Sequence, residues 1–257
     1  MVYGIDKFKE YFADYAGQYV FIGGTACYIL LNDIGSSFRA TKDLDMVLLI
    51  EALDENFGIT FWKFIEDGGY VHKQKNTGED QFYRFSNPTK AGFPIMIELF
   101  SRRSENLRLH FDSLLTPIHV SESVTSLSAI LLNDAYYELL VEGKSLIDGY
   151  SVLAIEYILL FKMKAWVDLL ERKENGEQID SRDVNKHKND IFRLLVNISP
   201  SSKISVSDQI HEDIIKFSDR ISEEKVDLKN LGINAVSFDE LLGRIKKLYH
   251  NTAEHTL

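Results

Sequence analysis

The sequence predicts an α/β (α+β) protein in which a mixed-sheet domain at residues 1–150 is followed by a helical domain at residues 151–257. In the first half of the chain, short apolar runs alternate with helical patterns, which is typical of a sheet domain with helices. From about Leu153 onwards the apolar spacing is helical. The chain has 257 residues, of which 45% are apolar, so it can bury the core of one large or two modest domains.

The elements of the first domain follow from spacing and from turn residues. Ile5, Phe8 and Phe12 keep helical spacing, and Gly68-Gly69 ends a later helical pattern. Polar KQKNTGED separates two strand-like runs and predicts a hairpin loop. The predicted elements are a helix at 5–15, a strand at 19–22, a helix at 25–31, a strand at 43–50, a helix at 57–67, strands at 70–72, 81–85 and 93–100, and further short strands within 127–150.

The second domain is predicted to be helical. A polar loop, ENGEQIDS, follows its first helix, and Pro200 with its serine neighbours breaks the chain after the second. The last 55 residues have only the pattern of amphipathic helices, of which FDELLGRIKKLYH is the clearest. The predicted helices are 153–173, 182–197, 207–220 and 237–250.

Composition argues against several classes of protein. The single cysteine, Cys27, excludes an internal disulfide and fits a reducing cytosol. The N-terminus is polar, and no apolar run reaches the roughly 18–20 residues of a membrane span, so we expect a cytoplasmic protein without a membrane partner. A net charge of −10 argues against broad, non-specific binding to nucleic acid. It leaves room for a local basic site, for which the candidates are Arg182, Lys186, His187, Lys188 and Arg193.

Acidic residues in two predicted strands are the first candidates for chemistry. Asp43 and Asp45 are two apart at the start of an apolar strand, so they point to the same face. Glu98 shares its face of a later strand with Met96 and Phe100, where an acid is costly unless it is paired or bound to metal. If the two strands are neighbours, three carboxylates meet, and such a set can hold divalent cations for phosphoryl-type transfer. The alternatives are a solvated strand edge for the aspartates and, for Glu98, pairing with an arginine such as Arg84 or Arg102.

A Gly-Gly turn and two basic elements are the other candidates. Gly23 and Gly24 precede a predicted helix, whose N-terminal amides favour a phosphate; the alternative is a tight strand-to-helix turn. Lys162 lies in the centre of an apolar helical stripe, either as a phosphate ligand or with its charge extended to solvent. Asp190 follows Lys188 near the start of a later helix, where it could orient Lys162 or belong to a solvated helix start.

Taken together, these residues resemble the nucleotidyltransferase superfamily of the DNA polymerase β type, and more closely the AbiEii/AbiGii toxin family. That family has a Gly-Gly-Thr-Ala turn, then Arg-x-(Ser/Thr)-x-Asp-(hydrophobic)-Asp, a third acid on a strand, a helical Lys-x-x-Ala and a Lys/Arg-x-Asp helix start. The chain departs from the pattern in a longer gap between Gly24 and Asp43, in a long loop between Lys162 and Asp190, and in Arg193, where a second acid often stands. The matching residues are Gly23 to Ala26, Arg39 to Asp45, Glu98, Lys162 to Ala165 and Lys188 to Asp190, within residues 18–197.

The resemblance implies a nucleotidyltransferase fold with the nucleotide in the cleft between the two domains. It implies that Asp43, Asp45 and Glu98 hold Mg²⁺ or Mn²⁺, that Glu98 also serves as base, and that Lys162 neutralises developing charge. The implied nucleotide ligands are Gly23, Gly24, Thr25, Arg39, Thr41 and Lys162, and the implied catalytic residues are Asp43, Asp45, Glu98, Lys162 and Asp190.

The expected activity is therefore transfer of NMP from an NTP to a hydroxyl acceptor. The resemblance implies RNA, including the tRNA 3′ end, as an acceptor, with a protein hydroxyl or a small molecule such as an aminoglycoside as further choices. It also implies a role as the toxin of a type IV toxin–antitoxin pair, with an antitoxin as partner. The alternatives are a non-catalytic module on the same fold, which binds nucleotide or a partner without turnover, and a metal-dependent phosphohydrolase, which would release inorganic phosphate.

Overall fold

The structure is a computed structural model that describes residues 2–36, 38, 41–71, 84–101, 130 and 133–251. The mixed α/β class predicted from the sequence is confirmed. The chain divides into two compact units: unit 1 comprises Met1–Val124 and Leu140–Ala154, and unit 2 comprises Thr125–Leu139 and Ile155–Leu257. The main boundary therefore follows Ala154, against residue 150 in the sequence-based division, and residues 133–139 belong to the second unit.

Unit 1 is built around a six-stranded sheet with the strand order β3-β4-β2-β1-β6-β5. The β2–β4 and β1–β6 pairs are parallel, and the other neighbouring pairs are antiparallel. Its described elements are α1 (Ile5–Phe12), β1 (Tyr19–Phe21), α2 (Gly23–Asp33), β2 (Asp43–Leu48), α3 (Glu55–Gly68), β3 (Arg84–Ser86), β4 (Met96–Ser101), β5 (Lys144–Ile147) and β6 (Tyr150–Leu153).

One face of this sheet carries the aromatic core. Side chains of residues that are partners in a ladder point to the same side of the sheet. The partners are Phe21 and Met46, Met46 and Leu99, and Ile97 and Phe85. Since Ile97 and Leu99 are two apart on β4, all of these side chains lie on one face. Rings from α1 and α3 pack on it: Phe8 lies 5.0 Å from Phe21 and Phe61 lies 5.4 Å from Phe85, measured between ring centroids. Burial of this many aromatic side chains drives the sheet and the two helices together.

The opposite face of the same strands carries the acidic residues. Asp43 and Asp45 alternate with buried Leu44 and Met46, so they project away from the aromatic core. We call the side that bears Asp43, Asp45 and Glu98 the acidic face. Because the aromatic core occupies the other side, the acids remain partly exposed.

Unit 2 is largely helical. α5 packs extensively against α6 and α7, and a short two-stranded parallel sheet joins β7 to β8. Trp166 and Phe217, with ring centroids 5.5 Å apart, are among the side chains buried in its core. The elements that follow α4 (Asp134–Glu142) are α5 (Ile155–Glu174), α6 (Ser181–Leu195), β7 (Ile204–Val206), α7 (Asp208–Ser222), α8 (Phe238–Leu248) and β8 (Tyr249–Asn251).

Two sequence-based expectations about elements are wrong. Of the short strands expected within 127–150, β5 is present, but residues 134–142 form α4, because the side chain of Asn133 accepts hydrogen bonds from the amides of Ala135 and Tyr136 and starts a helix. Residues 249–251 pair with β7 instead of extending the last helix. The predicted hairpin loop falls in residues 72–83, outside the described part of the chain, although Val71 bridges Ser86 in the antiparallel sense.

No helix in the described part of the chain has both the length and the apolar character needed to cross a membrane.

Candidate active site

The two aspartates predicted as metal ligands lie on β2 with Glu98 beside them on β4. The parallel β2–β4 ladder pairs Asp43 with Met96 and Asp45 with Glu98. The two strands are therefore neighbours, as a meeting of the three carboxylates requires. All three carboxylates project from the acidic face, and each belongs to a half-buried residue.

The Gly-Gly pair lies directly against Asp45. α2 begins at Gly23, two residues earlier than predicted, and Gly23 has a left-handed φ of 60°. A Cβ added at Gly23 would stand 2.2 Å from Oδ2 of Asp45, so only glycine fits there. The carboxylate of Asp45 consequently lies at the N-terminus of α2, where the helix dipole favours negative charge.

Two threonines predicted as nucleotide ligands are buried beside the start of α2. Thr25 is fully buried, and its Oγ1 donates to the backbone carbonyl of Asp43 at 2.6 Å. Thr41 is also buried, and its Oγ1 lies 2.8 Å from where a Cβ on Gly24 would be. Thr25 therefore fixes the helix N-terminus to the first residue of the acidic strand. Arg39, the other predicted ligand in this segment, lies outside the described residues.

Glu98 is paired with an arginine, as one of the sequence-based alternatives expected. Arg84 lies opposite it in the antiparallel β3–β4 ladder, and the Nε and Nη2 atoms of Arg84 both lie 2.6 Å from Oε1 of Glu98. Among the described residues, no three His, Cys, Asp or Glu side chains lie together as a metal-binding group. The acidic face thus supplies hard oxygen ligands of the kind that Mg²⁺ prefers, but Arg84 holds one of them.

Lys162 and Asp190 meet inside unit 2. Lys162 on α5 donates to Oδ2 of Asp190 on α6 at 2.9 Å, and their side chains are only 7% and 1% exposed. Arg193 lies 3.8 Å from the other carboxylate oxygen of Asp190. The structure therefore brings together the two residues that the sequence paired. Lys162 does not extend its charge to solvent, and Asp190 does not belong to a solvated helix start.

Lys164, on the same helix as Lys162, belongs to a second polar network. It donates to Asp213 at 2.9 Å and lies 3.5 Å from Asp168, while the hydroxyl of Tyr136 donates to Asp213 at 3.0 Å. Burial raises the pKa of the Asp168 carboxyl despite the opposing effect of Lys164. Burial lowers the pKa of Lys164, but the bond to Asp213 and the charge of Asp168 outweigh it and leave this pKa raised. Asp213 lies 49 residues from Lys164, so no local sequence pattern could have found it.

Three residues of the predicted basic cluster are paired with acids. Lys188 lies 2.7 Å from Glu224, and Arg182 lies 2.6 Å from Asp180. Arg193 pairs with Asp190, as described above. The cluster is therefore partly neutralised within unit 2, which weakens its case as a local site for nucleic acid.

A scan against protein-family models gives no match for this chain, and a search of curated proteins likewise finds none that is similar to it.

Proposed function

We propose that this protein is a Mg²⁺-dependent nucleotidyltransferase. The observation that carries the proposal is the register of β2 and β4, which places Asp43, Asp45 and Glu98 on one face. The N-terminus of α2 lies against Asp45 on the same side. Three carboxylates next to a helix N-terminus are suited to a reaction in which a polyphosphate and a divalent cation must be held together.

In this reaction the acceptor hydroxyl attacks the α-phosphorus of an NTP, and the bond between the α-phosphorus and the β-phosphate oxygen breaks to release pyrophosphate. Asp43 and Asp45 would hold Mg²⁺ or Mn²⁺, and the bound cation supplies charge neutralisation at the phosphates. The amides at the start of α2 would bind phosphate oxygens. Glu98 would accept the proton of the acceptor hydroxyl once Arg84 releases its carboxylate.

The acceptor and the biological role belong to the proposal as well. RNA, including the tRNA 3′ end, is the acceptor we propose first, within a toxin–antitoxin system. Lys162 and Asp190 are assigned to the reaction only on the resemblance of their motifs, because their observed contact is with each other.

One observation favours a second function. The Arg84–Glu98 ion pair occupies the third carboxylate, and a nucleotide-binding module without turnover would have no need to open that pair. Such a module would be stabilised by nucleotide and would release no pyrophosphate.

The experiment that tests the proposal follows label from each α-³²P-labelled NTP in the presence of Mg²⁺ and total RNA. The Asp43→Ala/Asp45→Ala variant is the inactive control, and Asp14→Ala removes an exposed acid elsewhere in unit 1 as its match. We expect transfer to RNA by the wild type and by Asp14→Ala, and none by the double variant.

The other outcomes separate the alternatives. Labelled protein or a labelled small molecule would keep the chemistry and change the acceptor. Nucleotide-dependent stabilisation without pyrophosphate would favour the binding module, and release of inorganic phosphate would indicate a hydrolase.

A further inference from the structure

Unit 2 contains a cavity that takes no part in the proposed reaction. It has a volume of about 360 Å³ and lies among the end of α6, residues 198–202 and α8. Leu195, Ile198 and Leu248 form an apolar part of its wall, and each of them is buried. Ligand pockets in proteins begin at roughly 300 Å³, so the cavity is large enough for a small organic molecule.

A glycine in the middle of α8 keeps one wall of the cavity open. Gly243 lines the cavity and is the sixth of the eleven residues of α8. Glycine destabilises a helix interior relative to alanine. A Cβ added at Gly243 would meet nothing within 4 Å, so neither packing nor backbone conformation in the structure requires glycine here. Because Gly243 lines the cavity, we expect a larger side chain at this position to occupy part of it.

The same helix turns basic groups towards the cavity. Arg244 and Lys247 both line it, three residues apart on one side of α8. Arg244 pairs with Glu240 at 2.9 Å, whereas Lys247 makes no ion pair with any residue that the structure describes. Ser199 and Ser202 add hydroxyl groups to the lining. The lining therefore carries one more positive than negative charge beside an apolar wall.

We propose that this cavity binds a small organic anion, with the apolar body of the ligand against Leu195, Ile198 and Leu248 and its anionic group at Lys247 and Arg244. An acid with an apolar tail fits the arrangement, whether its head group is a carboxylate, a phosphate or a sulfonate. The site is independent of the proposed nucleotidyl transfer, since none of its residues belongs to the acidic face.

The test is a fluorescence titration of the full chain with 8-anilinonaphthalene-1-sulfonate, an aromatic sulfonate that brightens in apolar sites. We expect saturable binding at one site per chain. Gly243→Leu places a side chain in the cavity and should weaken binding by about tenfold or more, as expected when the space for the apolar body is lost. Lys247→Met should weaken it by about twofold to fivefold, the range of one exposed charge contact.

Two matched variants keep the result specific. Gly243→Ala gives the helix a better residue but adds only a methyl group, and Lys246→Met removes the same charge from the next position, which does not line the cavity. Both should bind the probe as the wild type does.

Competition with hexanoate and with hexyl phosphate then identifies the preferred head group. Equal binding by Gly243→Leu, confirmed as folded by circular dichroism, would overturn the proposal, and so would a wild type that does not bind the probe.

Discussion

The carboxylate of Asp45 occupies the space that the Cβ atom of any residue other than glycine would need at position 23. This close packing links the conformation of Gly23 to the position of the acid. The buried hydroxyl of Thr25 fastens the start of α2 to Asp43 in the same way. At the scale of single residues, the Gly-Gly-Thr segment is therefore part of the support of the acidic face as well as a predicted phosphate site.

Replacement of Arg84 should change the affinity of the acidic face for a divalent cation. Its guanidinium neutralises Glu98, so Arg84→Gln leaves the three acids without that opposing charge. We expect the variant to bind Mn²⁺ about twofold to fivefold more tightly, from the roughly 0.5–1 kcal/mol of a partly exposed ion pair. Electron paramagnetic resonance of Mn²⁺, titrated in the absence of nucleotide, measures this directly.

Lys90→Gln is the control for that titration, because it removes an exposed positive charge of unit 1 that is not the ion-pair partner of Glu98. Glu98→Gln should bind Mn²⁺ more weakly than the wild type. Equal affinity of Arg84→Gln and the wild type would mean that Glu98 takes no part in holding the cation.

The Lys162–Asp190 pair should show strong coupling in a double-mutant cycle. Asp190→Asn leaves the Lys162 ammonium buried without its carboxylate, which should destabilise the protein by about 3–5 kcal/mol. The double variant Lys162→Met/Asp190→Leu should recover most of that loss, because the buried ammonium is gone and Arg193, which loses its contact with Asp190, is 36% exposed to solvent. Urea unfolding of the single and double variants measures both values. A folded double variant that keeps full nucleotidyl transfer would remove Lys162 from the proposed reaction.

At the scale of elements, the sequence predicted those helices whose periodicity is local. α5, α6 and α7 lie within about two residues of their predicted ends, because an apolar stripe marks each of them. α4 was missed because its first-turn contacts depend on the side chain of Asn133 as an N-cap. The sequence predicts the end of a helix in place of β8, because the pairing of β8 with β7 joins residues about 45 positions apart, which no local spacing reveals.

Two serines at equivalent helix positions offer a matched test of capping. Ser237 is the N-cap of α8, and its side chain accepts a hydrogen bond from the amide of Glu240 at 3.2 Å. Ser207 is the N-cap of α7 but makes no such bond. Ser237→Ala should lower the free energy of unfolding by about 0.5–1 kcal/mol. Ser207→Ala should lower it by about 0.3 kcal/mol at most. Urea unfolding compares the two variants, and equal losses would show that the bond at Ser237 contributes nothing.

At the scale of the whole molecule, alternation in β2 and β4 was enough to predict which side chains share a face. It could not predict that the two strands are parallel neighbours, or that Asp45 and Glu98 are in register. Strand order depends on the packing of the whole aromatic core, and Arg84 opposes Glu98 only because β3 pairs with the far edge of β4. The cavity beside Gly243 had one signal in the sequence, a glycine in the centre of an otherwise amphipathic helix.

Buried tyrosines in both units determine how the protein should respond to alkali. Burial raises the pKa of Tyr19 to about 12, and it raises those of Tyr70, Tyr136, Tyr150 and Tyr249 further above the ordinary value. An unfolded tyrosine ionises near pH 10, so above that pH the unfolded chain has lost protons that the folded chain retains. The contribution of these tyrosines to the free energy of unfolding is therefore complete below about pH 10. It is lost as the pH rises from there through the pKa values of the folded protein.

Tyr70→Phe separates this titration from ordinary packing. The hydroxyl of Tyr70 donates to the carbonyl of Pro94 at 2.6 Å, so the variant should be less stable at pH 7 by about 0.5–1.5 kcal/mol, the net value of one hydrogen bond. Above pH 10 the difference should shrink, because phenylalanine cannot ionise and the variant lacks one of the groups that favour unfolding. Urea unfolding at pH 7 and pH 10.5 measures both differences, with Tyr3→Phe as the control at a half-exposed tyrosine whose hydroxyl also makes one hydrogen bond, from the amide of Gly92. A difference for Tyr70→Phe that stays constant or widens with pH would mean that this phenol ionises at least as readily in the folded protein as in the unfolded chain.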